Sequence, residues 1–225
     1  MEITPIAHIR TDFKDKFGIP RQSGRVPSLI GRIVLEPEYR SAEAIRGIEE
    51  FSHLWLIFGF SEAIRRRPSL TVRPPRLGGN RRIGVFASRA PFRPNSLGLS
   101  VVQLVRIEQS GTEGHVLIVS GVDMMDGTPI YDIKPYLPYA DARPDARGSY
   151  GEEMRGYALT VEFPPEFLAK IPEEKHEAVL ACLREDPRPA YHDDDRIYSM
   201  YFAGKDIHFR VADGTLFVIG VDACR

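Results

Sequence analysis

Short apolar runs separated by glycine and proline are the feature of this sequence that most limits its fold. The longest run covers residues 54–60, far short of the roughly 20 residues that a membrane-spanning helix needs. Further runs rich in Val, Ile, Leu and Phe lie at residues 31–35, 83–87, 99–108 and 115–122. Runs of this length, bounded by turn residues, are typical of β-strands, and helical periodicity is weak here. We therefore predict a mainly β fold for the first two thirds of the chain, and no membrane partner.

The pattern changes in the last third of the chain. Alternating apolar residues predict one more half-buried strand, at Tyr157, Leu159, Val161 and Phe163. Pro172, followed by two glutamates, suits the first turn of a helix, and an apolar stripe extends it over residues 172–184. Asp213 and Gly214 lie between two alternating runs, which is a strong hairpin signal. We therefore predict a small α+β carboxy-terminal domain at residues 161–225, after a first domain at residues 1–160.

Missing motifs argue against several kinds of chemistry. Cys182 and Cys224 are too few for a disulfide framework or a four-thiolate zinc site. The six histidines include no pair at metal-ligand spacing, so we expect no metal. The chain has no P-loop, no Gly-x-Gly-x-x-Gly after a strand and no Gly-x-Ser-x-Gly. The amino terminus has no visible secretory signal, so we expect a cytoplasmic protein.

Three polar loops rich in glycine, proline and arginine are the candidate binding segments. They cover residues 20–22, 73–80 with 88–95, and 123–129. Each also has an ordinary interpretation, as a surface loop or, for Asp126 and Gly127, as a simple turn. Loops on a rigid sheet commonly carry binding sites, so three together indicate where a site lies but not its reaction. His53, beside the longest apolar run, is more commonly a packed edge histidine than a catalytic base.

The arginines are distributed unevenly along the chain. Residues 65–95 contain nine arginines and no Lys, Asp or Glu. The formal net charge of this segment is therefore +9 and that of the rest of the chain is −10, which gives a total of −1. A guanidinium presents a planar fork that fits carboxylates and phosphates. The near-neutral total therefore does not argue against a nucleic-acid partner, and this segment favours a phosphate-rich ligand.

Longer strings of the sequence resemble one protein family. The strings are Pro20-Arg21-Gln22, residues 51–55, 73–80 and 84–87, Arg89, and residues 92–95, 126–129, 132–138 and 186–191. In this order they resemble the TsaA-like, or TrmO, proteins over nearly the whole chain. The departures are Ser23, Arg25, Ala90 and Ser96, where the family usually has Pro, Leu, Ser and Pro.

The resemblance implies an S-adenosylmethionine-dependent tRNA methyltransferase. Its reaction would be methylation of N6 of N6-threonylcarbamoyladenosine at position 37, beside the anticodon. The resemblance further implies a β-barrel catalytic domain unlike the Rossmann methyltransferases, a homodimer, and a carboxy-terminal domain that assists tRNA recognition. The missing Gly-x-Gly-x-x-Gly agrees with a non-Rossmann fold.

Residue roles follow from the same resemblance. It assigns the cofactor contacts to Pro20, Arg21, Gln22, His53, Leu54, Arg89, Leu99, Asp126, Gly127, Thr128 and Pro129. It places Arg93 and Asn95 near the active centre, and Asp126 and Tyr191 are candidates for accepting the N6 proton. The residues expected to bind tRNA are Arg65, Arg66, Arg76, Arg188 and Tyr191. Two alternatives stay open: a β-barrel that binds RNA without catalysis, and a methyltransferase that acts on another acceptor.

Overall fold

Twelve strands dominate the part of the chain that the computed structural model describes, which is residues 2–64, 69–73, 81–148, 156–188 and 196–224. The strands are β1 (Ala7–Arg10), β2 (Ile30–Leu35), β3 (His53–Gly59), β4 (Thr71–Val72), β5 (Ile83–Gly84), β6 (Leu97–Ser110), β7 (Gly114–Ser120), β8 (Pro129–Pro135), β9 (Thr160–Glu162), β10 (Tyr198–Phe202), β11 (Lys205–Ala212) and β12 (Thr215–Ala223). The α-helices are α1 (Pro138–Asp141), α2 (Pro165–Leu168) and α3 (His176–Arg184). Short 3-10 turns lie at Pro37–Tyr39, Ala42–Ile45, Ile48–Glu50, Ser61–Ala63, Val85–Ala87 and Glu173–Lys175. The prediction of a mainly β fold is confirmed.

Six of the strands close into a barrel. Their order is β1-β2-β7-β6-β3-β8, every neighbouring pair is antiparallel, and β8 pairs back to β1 through Ile130 and Ala7. Alternation along β3 places Leu54, Leu56 and Phe58 in the buried core, while the residues between them are only half buried. The apolar runs at residues 31–35, 54–60, 99–108 and 115–122 all form barrel strands.

One predicted strand is wrong. Of residues 83–87, only Ile83–Gly84 is extended and pairs with β4, whereas Val85–Ala87 forms a 3-10 turn. Val85 is buried while Phe86 is exposed, so this turn anchors one apolar residue and leaves the next in solvent. The apolar composition of this run was therefore not a sufficient sign of a strand.

A second sheet is built from the carboxy-terminal third of the chain. Its order is β10-β11-β12-β9, with β9 parallel to β12. The hairpin predicted at Asp213 and Gly214 is confirmed, since both residues have positive φ and join β11 to β12. The helix predicted over residues 172–184 is confirmed for its later part, because a 3-10 turn at Glu173–Lys175 precedes α3. In α3 the buried residues are Ala178, Val179, Cys182 and Leu183.

The segment between β1 and β2 packs against this second sheet. Phe13 meets Phe202 edge to face with ring centroids 5.4 Å apart, and Phe17 stacks against Tyr198. Gly18 has a φ of 92°, and a Cβ there would overlap the side chain of Met200. One continuous apolar core therefore spans the barrel and the second sheet, and Ile19 and Val26, on either side of residues 20–25, belong to it or pack against it. None of the helices in the described ranges is long and apolar enough to cross a membrane.

Candidate active site

The loop at residues 20–25 lies against the rim of the barrel. The amide of Gly24 donates to the carbonyl of Gly121 at 2.8 Å, just beyond the end of β7. The amide of Val101 on β6 donates to the Ser23 hydroxyl at 3.2 Å. Pro20 is buried, whereas Arg21 and Gly24 are exposed. The rim thus holds the loop through the Gly24 amide and the Ser23 hydroxyl and leaves Arg21 exposed.

Asp123 is a half-buried carboxylate at this rim. The Ser100 hydroxyl donates to its two oxygens at 2.8 and 3.0 Å. Burial raises the pKa of Asp123 to about 6, although hydrogen bonds from Ser100 and from the backbone of Ser23 oppose the rise, as does the charge of Arg89. The site therefore holds a carboxylate that protonates close to neutral pH.

Arg89 brings a third chain segment to the same place. One of its terminal nitrogens, Nη1, donates a short hydrogen bond to Oε1 of Gln22, and the arginine is otherwise exposed. Leu99, which precedes Ser100 on β6, is 55% exposed. The structure thus brings Gln22 and Arg89 into contact, and the charge of Arg89 is close enough to lower the pKa of Asp123 slightly, so three separate loops converge on this rim.

An open aromatic cavity of about 620 Å³ borders the loop. It is lined by His53, Trp55, Val101, Tyr136 and residues 141–144. Val101 lines the cavity and also donates its amide to Ser23, so the cavity and the loop at residues 20–25 share β6 as a wall. The indole of Trp55 is held by a hydrogen bond of 3.0 Å from its Nε1 to Asp141. Flat aromatic faces beside an apolar wall are suited to a planar heterocycle.

Asp141 is itself fixed by the wall of this cavity. The amide of Leu137 and the indole of Trp55 both donate to its Oδ2. These hydrogen bonds hold the pKa of Asp141 below its usual value. Asp141 therefore stays charged at neutral pH and keeps the Trp55 ring in place.

The carboxy-terminal domain closes the other side of the loop. Arg25 donates to both carboxylate oxygens of Glu185, at 3.0 and 2.8 Å. Arg21 donates from Nη2 to the backbone carbonyl of Arg188 at 3.1 Å. Arg188 in turn forms a two-pronged ion pair with Asp186, and its side chain is only 12% exposed.

The remaining residues assigned by resemblance have other surroundings. The Leu54 side chain is buried inside the barrel, so only its backbone is available to a ligand. The oxygens of Asp126 are used by the Thr11 amide, at 3.0 Å, and by Arg10, at 3.7 Å. Gly127 donates its amide to Ile9, and the Thr128 hydroxyl donates to Met125. Pro129 begins β8.

Arg93 and Asn95, which the resemblance places near the active centre, have different surroundings. Arg93 donates from Nη1 to the carbonyls of Ser88, at 2.7 Å, and Val85, at 3.4 Å. These bonds fold the 85–93 segment back on itself, so Arg93 holds the turn before Arg89. Asn95 is exposed. Arg65, Arg66, Arg76 and Tyr191 lie outside the described residues.

Several residues of this site were not identified from the sequence. Asp123 lies in the candidate segment 123–129 but was given no role, and nothing in the local pattern indicates that Ser100, on β6, meets this loop after β7. Trp55 and Tyr136 belong to strings quoted for the resemblance, but their shared cavity depends on β3 and β8 being neighbours. Arg25 and Glu185 are 160 residues apart in the chain. The described residues contain no group of three or more side chains positioned to hold a metal ion.

Comparison of this chain with known proteins shows the family that it matches. Residues 8–142 match the family model of the tRNA-methyltransferase O N-terminal domain, and residues 156–224 match that of the TrmO C-terminal domain. The chain is 42% identical over 216 residues to a putative S-adenosylmethionine-dependent methyltransferase of Pseudomonas aeruginosa, covering 92% of this chain and 91% of that protein. It is 38% identical over 226 residues to the tRNA (adenine(37)-N6)-methyltransferase of Escherichia coli K12, covering 96% of each.

A solved structure agrees with the sequence comparisons. The crystal structure of TrmO from Pseudomonas aeruginosa superposes with a TM-score of 0.79 at 34% identity, covering 99% of both chains. The two family models together cover nearly all of the described residues. The chain therefore belongs to the tRNA-methyltransferase O family.

Proposed function

We propose that this protein transfers the methyl group of S-adenosylmethionine to N6 of N6-threonylcarbamoyladenosine at position 37 of tRNA. Its family makes it an S-adenosylmethionine-dependent tRNA methyltransferase, and the acceptor nucleoside is our proposal. The observation that carries the proposal is the meeting of Gln22, Arg89 and Asp123 at the barrel rim, beside an aromatic cavity.

The residues at the rim fit the cofactor's chemistry. S-adenosylmethionine supplies a methyl group on a positively charged sulfur, together with an amino acid carboxylate and an adenine ring. We assign the carboxylate to the guanidinium groups of Arg21 and Arg89, since such forks pair with carboxylates. Asp123 offers a negative charge for the positive groups, and the cavity at Trp55 and Tyr136 offers aromatic faces for the adenine.

Catalysis here is mainly a matter of position. A displacement at a methyl carbon needs the donor, the methyl and the acceptor nitrogen in line, and holding them so supplies much of the rate. We propose that a carboxylate of the 123–126 loop takes the N6 proton. Asp126 is the candidate from the sequence, but its oxygens are already used by Thr11 and Arg10. Asp123, whose pKa burial raises to about 6, is the second candidate on this loop, and its oxygens accept from the Ser100 hydroxyl.

We propose that the arginine-rich segment binds the phosphates of the tRNA anticodon arm. Among its described members, Arg73, Arg81, Arg82 and Arg89 are exposed. Arg73 follows β4 and Arg82 precedes β5. These two short strands pair with each other and lie between β3 and β6 in the chain order. Arginine forks on a loop suit single-stranded RNA with splayed bases and accessible phosphates. Arg65, Arg66, Arg76 and Tyr191 are proposed to extend this surface.

The contacts of Arg188 change its proposed part in tRNA binding. Its guanidinium is already paired with Asp186 and is mostly buried. We therefore propose that Arg188 shapes the tRNA surface by its backbone and its fixed position, and that direct phosphate contacts come from more exposed arginines.

The assembly and domain division are also proposals. Large apolar side chains are exposed near the site segments, with Phe86 at 78% and Leu99 at 55%, and such surfaces commonly mark interfaces. We propose a cytoplasmic homodimer that covers them, to be checked by light scattering after gel filtration. Because β9 pairs with β12, we place the start of the second domain before Thr160.

Nucleoside mass spectrometry tests the proposed reaction. Purified protein and S-adenosylmethionine are incubated with one tRNA that carries N6-threonylcarbamoyladenosine and with the same tRNA lacking it. We expect a gain of one methyl group on the modified nucleoside and none on plain adenosine. Arg89→Ala is expected to abolish the gain, while Arg46→Ala, in an exposed ion pair with Glu43, is expected to leave it unchanged. Methylation of unmodified adenosine instead would move the assignment to another acceptor, and cofactor binding without any methylation would contradict it.

A further inference from the structure

The loop at residues 20–25 is held from two sides by different kinds of contact. On the barrel side it is held by the Gly24 amide and the Ser23 hydroxyl. On the other side, Arg25 forms a two-pronged ion pair with Glu185, and the two side chains are 31% and 20% exposed. A pair of this geometry, partly shielded from water, is stronger than an ordinary surface ion pair.

The segment at residues 185–188 is itself rigid. Asp186 is 7% exposed and has a φ of 50°, a conformation that aspartate adopts more readily than most other residues with a side chain. Its carboxylate accepts hydrogen bonds from the Tyr157 hydroxyl and from the backbone and guanidinium of Arg188. The Arg188 carbonyl is thereby fixed in position to accept from Arg21.

The loop buries little surface of its own. Of residues 20–25 only Pro20 is buried, and the other contacts of the loop are polar ones, among them the hydrogen bond from Arg89 to Gln22. Ordering a backbone segment costs conformational entropy. A loop that is already ordered before its ligand arrives avoids that cost on binding. The ion pair and the Arg21 contact are therefore placed to order Arg21 and its neighbour Gln22, which accepts a hydrogen bond from Arg89.

We infer that the 185–188 segment is a part of the cofactor site, in which Glu185 and Asp186 act as positioning residues for the loop that carries Arg21 and Gln22. The inference rests on the proposed function, because it takes Arg21 and Gln22 as cofactor contacts. It assigns the carboxy-terminal domain a task in cofactor binding that does not require tRNA.

A charge exchange tests the inference in the full-length protein. The variants are Arg25→Glu, Glu185→Arg and the double variant that carries both. The matched control is the same exchange at the exposed pair Glu43 and Arg46. Calorimetry without tRNA measures the dissociation constant for S-adenosylmethionine, and hydrogen exchange measures protection of the amides at residues 21–25. Thermal unfolding of each variant establishes that it is folded, and Glu185→Gln replaces any variant that is not.

We expect each single charge reversal to weaken cofactor binding about tenfold, which corresponds to about 1.4 kcal/mol, and to speed exchange in the loop, since residues in contact are energetically coupled. The double variant is expected to recover to within about threefold of the original affinity. The control exchange is expected to change neither quantity. This pattern would support the positioning role.

Two results would overturn it. One is unchanged cofactor affinity and unchanged exchange in both single variants. The other is unchanged cofactor affinity with a raised KM for tRNA, which would make the 185–188 segment a tRNA contact alone. If the unaltered protein binds no S-adenosylmethionine, the proposed function fails, whereas the hydrogen exchange data still report whether the ion pair orders the loop.

Discussion

Replacing Asp123 by asparagine is expected to stabilise the protein at neutral pH and to weaken its cofactor binding. Burial raises the pKa of Asp123 from 3.8 to about 6. Each tenfold change in a proton's binding constant corresponds to about 1.4 kcal/mol, so the charged carboxylate costs the folded state about 3 kcal/mol. Asparagine has the same shape and carries no charge, so above pH 6 the variant avoids this cost.

The sign of the pH dependence follows from the raised pKa. The folded protein holds the Asp123 proton more tightly than the unfolded chain, so the cost is fully present above about pH 6. It falls as the pH is lowered through 6 and vanishes below the unfolded value of 3.8. The stability difference between Asp123→Asn and the unaltered protein is therefore largest at pH 8 and shrinks steadily towards pH 4.

Urea unfolding at pH 4, 5, 6, 7 and 8 measures this difference. The size expected at pH 8 is about 1–3 kcal/mol, because the amide loses part of the hydrogen bonding with Ser100 and Ser23 that the carboxylate has. Asp141→Asn is the contrasting control: hydrogen bonds from Leu137 and Trp55 lower the pKa of Asp141, so this variant is expected to be less stable than the unaltered protein at pH 8. An Asp123→Asn protein that is less stable at pH 8, or a difference independent of pH, would refute the reasoning.

Cofactor binding by Asp123→Asn tests whether the charge of Asp123 serves to bind S-adenosylmethionine. Asp123→Asn is expected to weaken binding of S-adenosylmethionine by about tenfold, as loss of one favourable charge contact in a partly buried site commonly does. Binding of S-adenosylhomocysteine, whose sulfur is uncharged, is expected to change less. Equal losses for the two ligands would mean that Asp123 acts only by holding Ser23 and the loop.

Three further outcomes are expected. Gly18→Ala should lower the free energy of unfolding by about 1–3 kcal/mol, measured by urea denaturation. The φ of Gly18 is positive, which strains a residue that has a Cβ, and that Cβ would overlap the side chain of Met200. Trp55 is the single tryptophan and lines the cavity, so S-adenosylhomocysteine should change its fluorescence, and a ligand that binds without any change would place the adenine elsewhere. The double variant Arg81→Ala, Arg82→Ala should raise the KM for tRNA. It should also lower, by up to about two, the number of counterions released on tRNA binding, which is read from the salt dependence of the affinity. Arg46→Ala should change neither quantity.

Much of the fold and part of the site were predictable from local patterns. Runs such as residues 115–122 became strands because β-branched and apolar residues suit a pleated, buried surface. The hairpin at Asp213 and Gly214 formed because these residue types tolerate positive φ. Residues 83–87 were mispredicted because the run is short and its apolar side chains serve a turn. Gln22 and Arg89, which the resemblance assigns to the cofactor, are in contact with each other, and their role stays a prediction.

The sequence by itself determined the strand-rich composition of the chain, the concentration of arginines in residues 65–95 and the motifs that mark its family. Each of these depends on residues that are neighbours in the chain or recur at a strand's period of two. Tertiary structure alone decided that Ser100 meets Asp123 and that Arg25 meets Glu185. Burial then raised the pKa of Asp123, a property that no local pattern carries. The physical reason is that desolvation and ion pairing depend on which distant segments the closed barrel and the second sheet bring together.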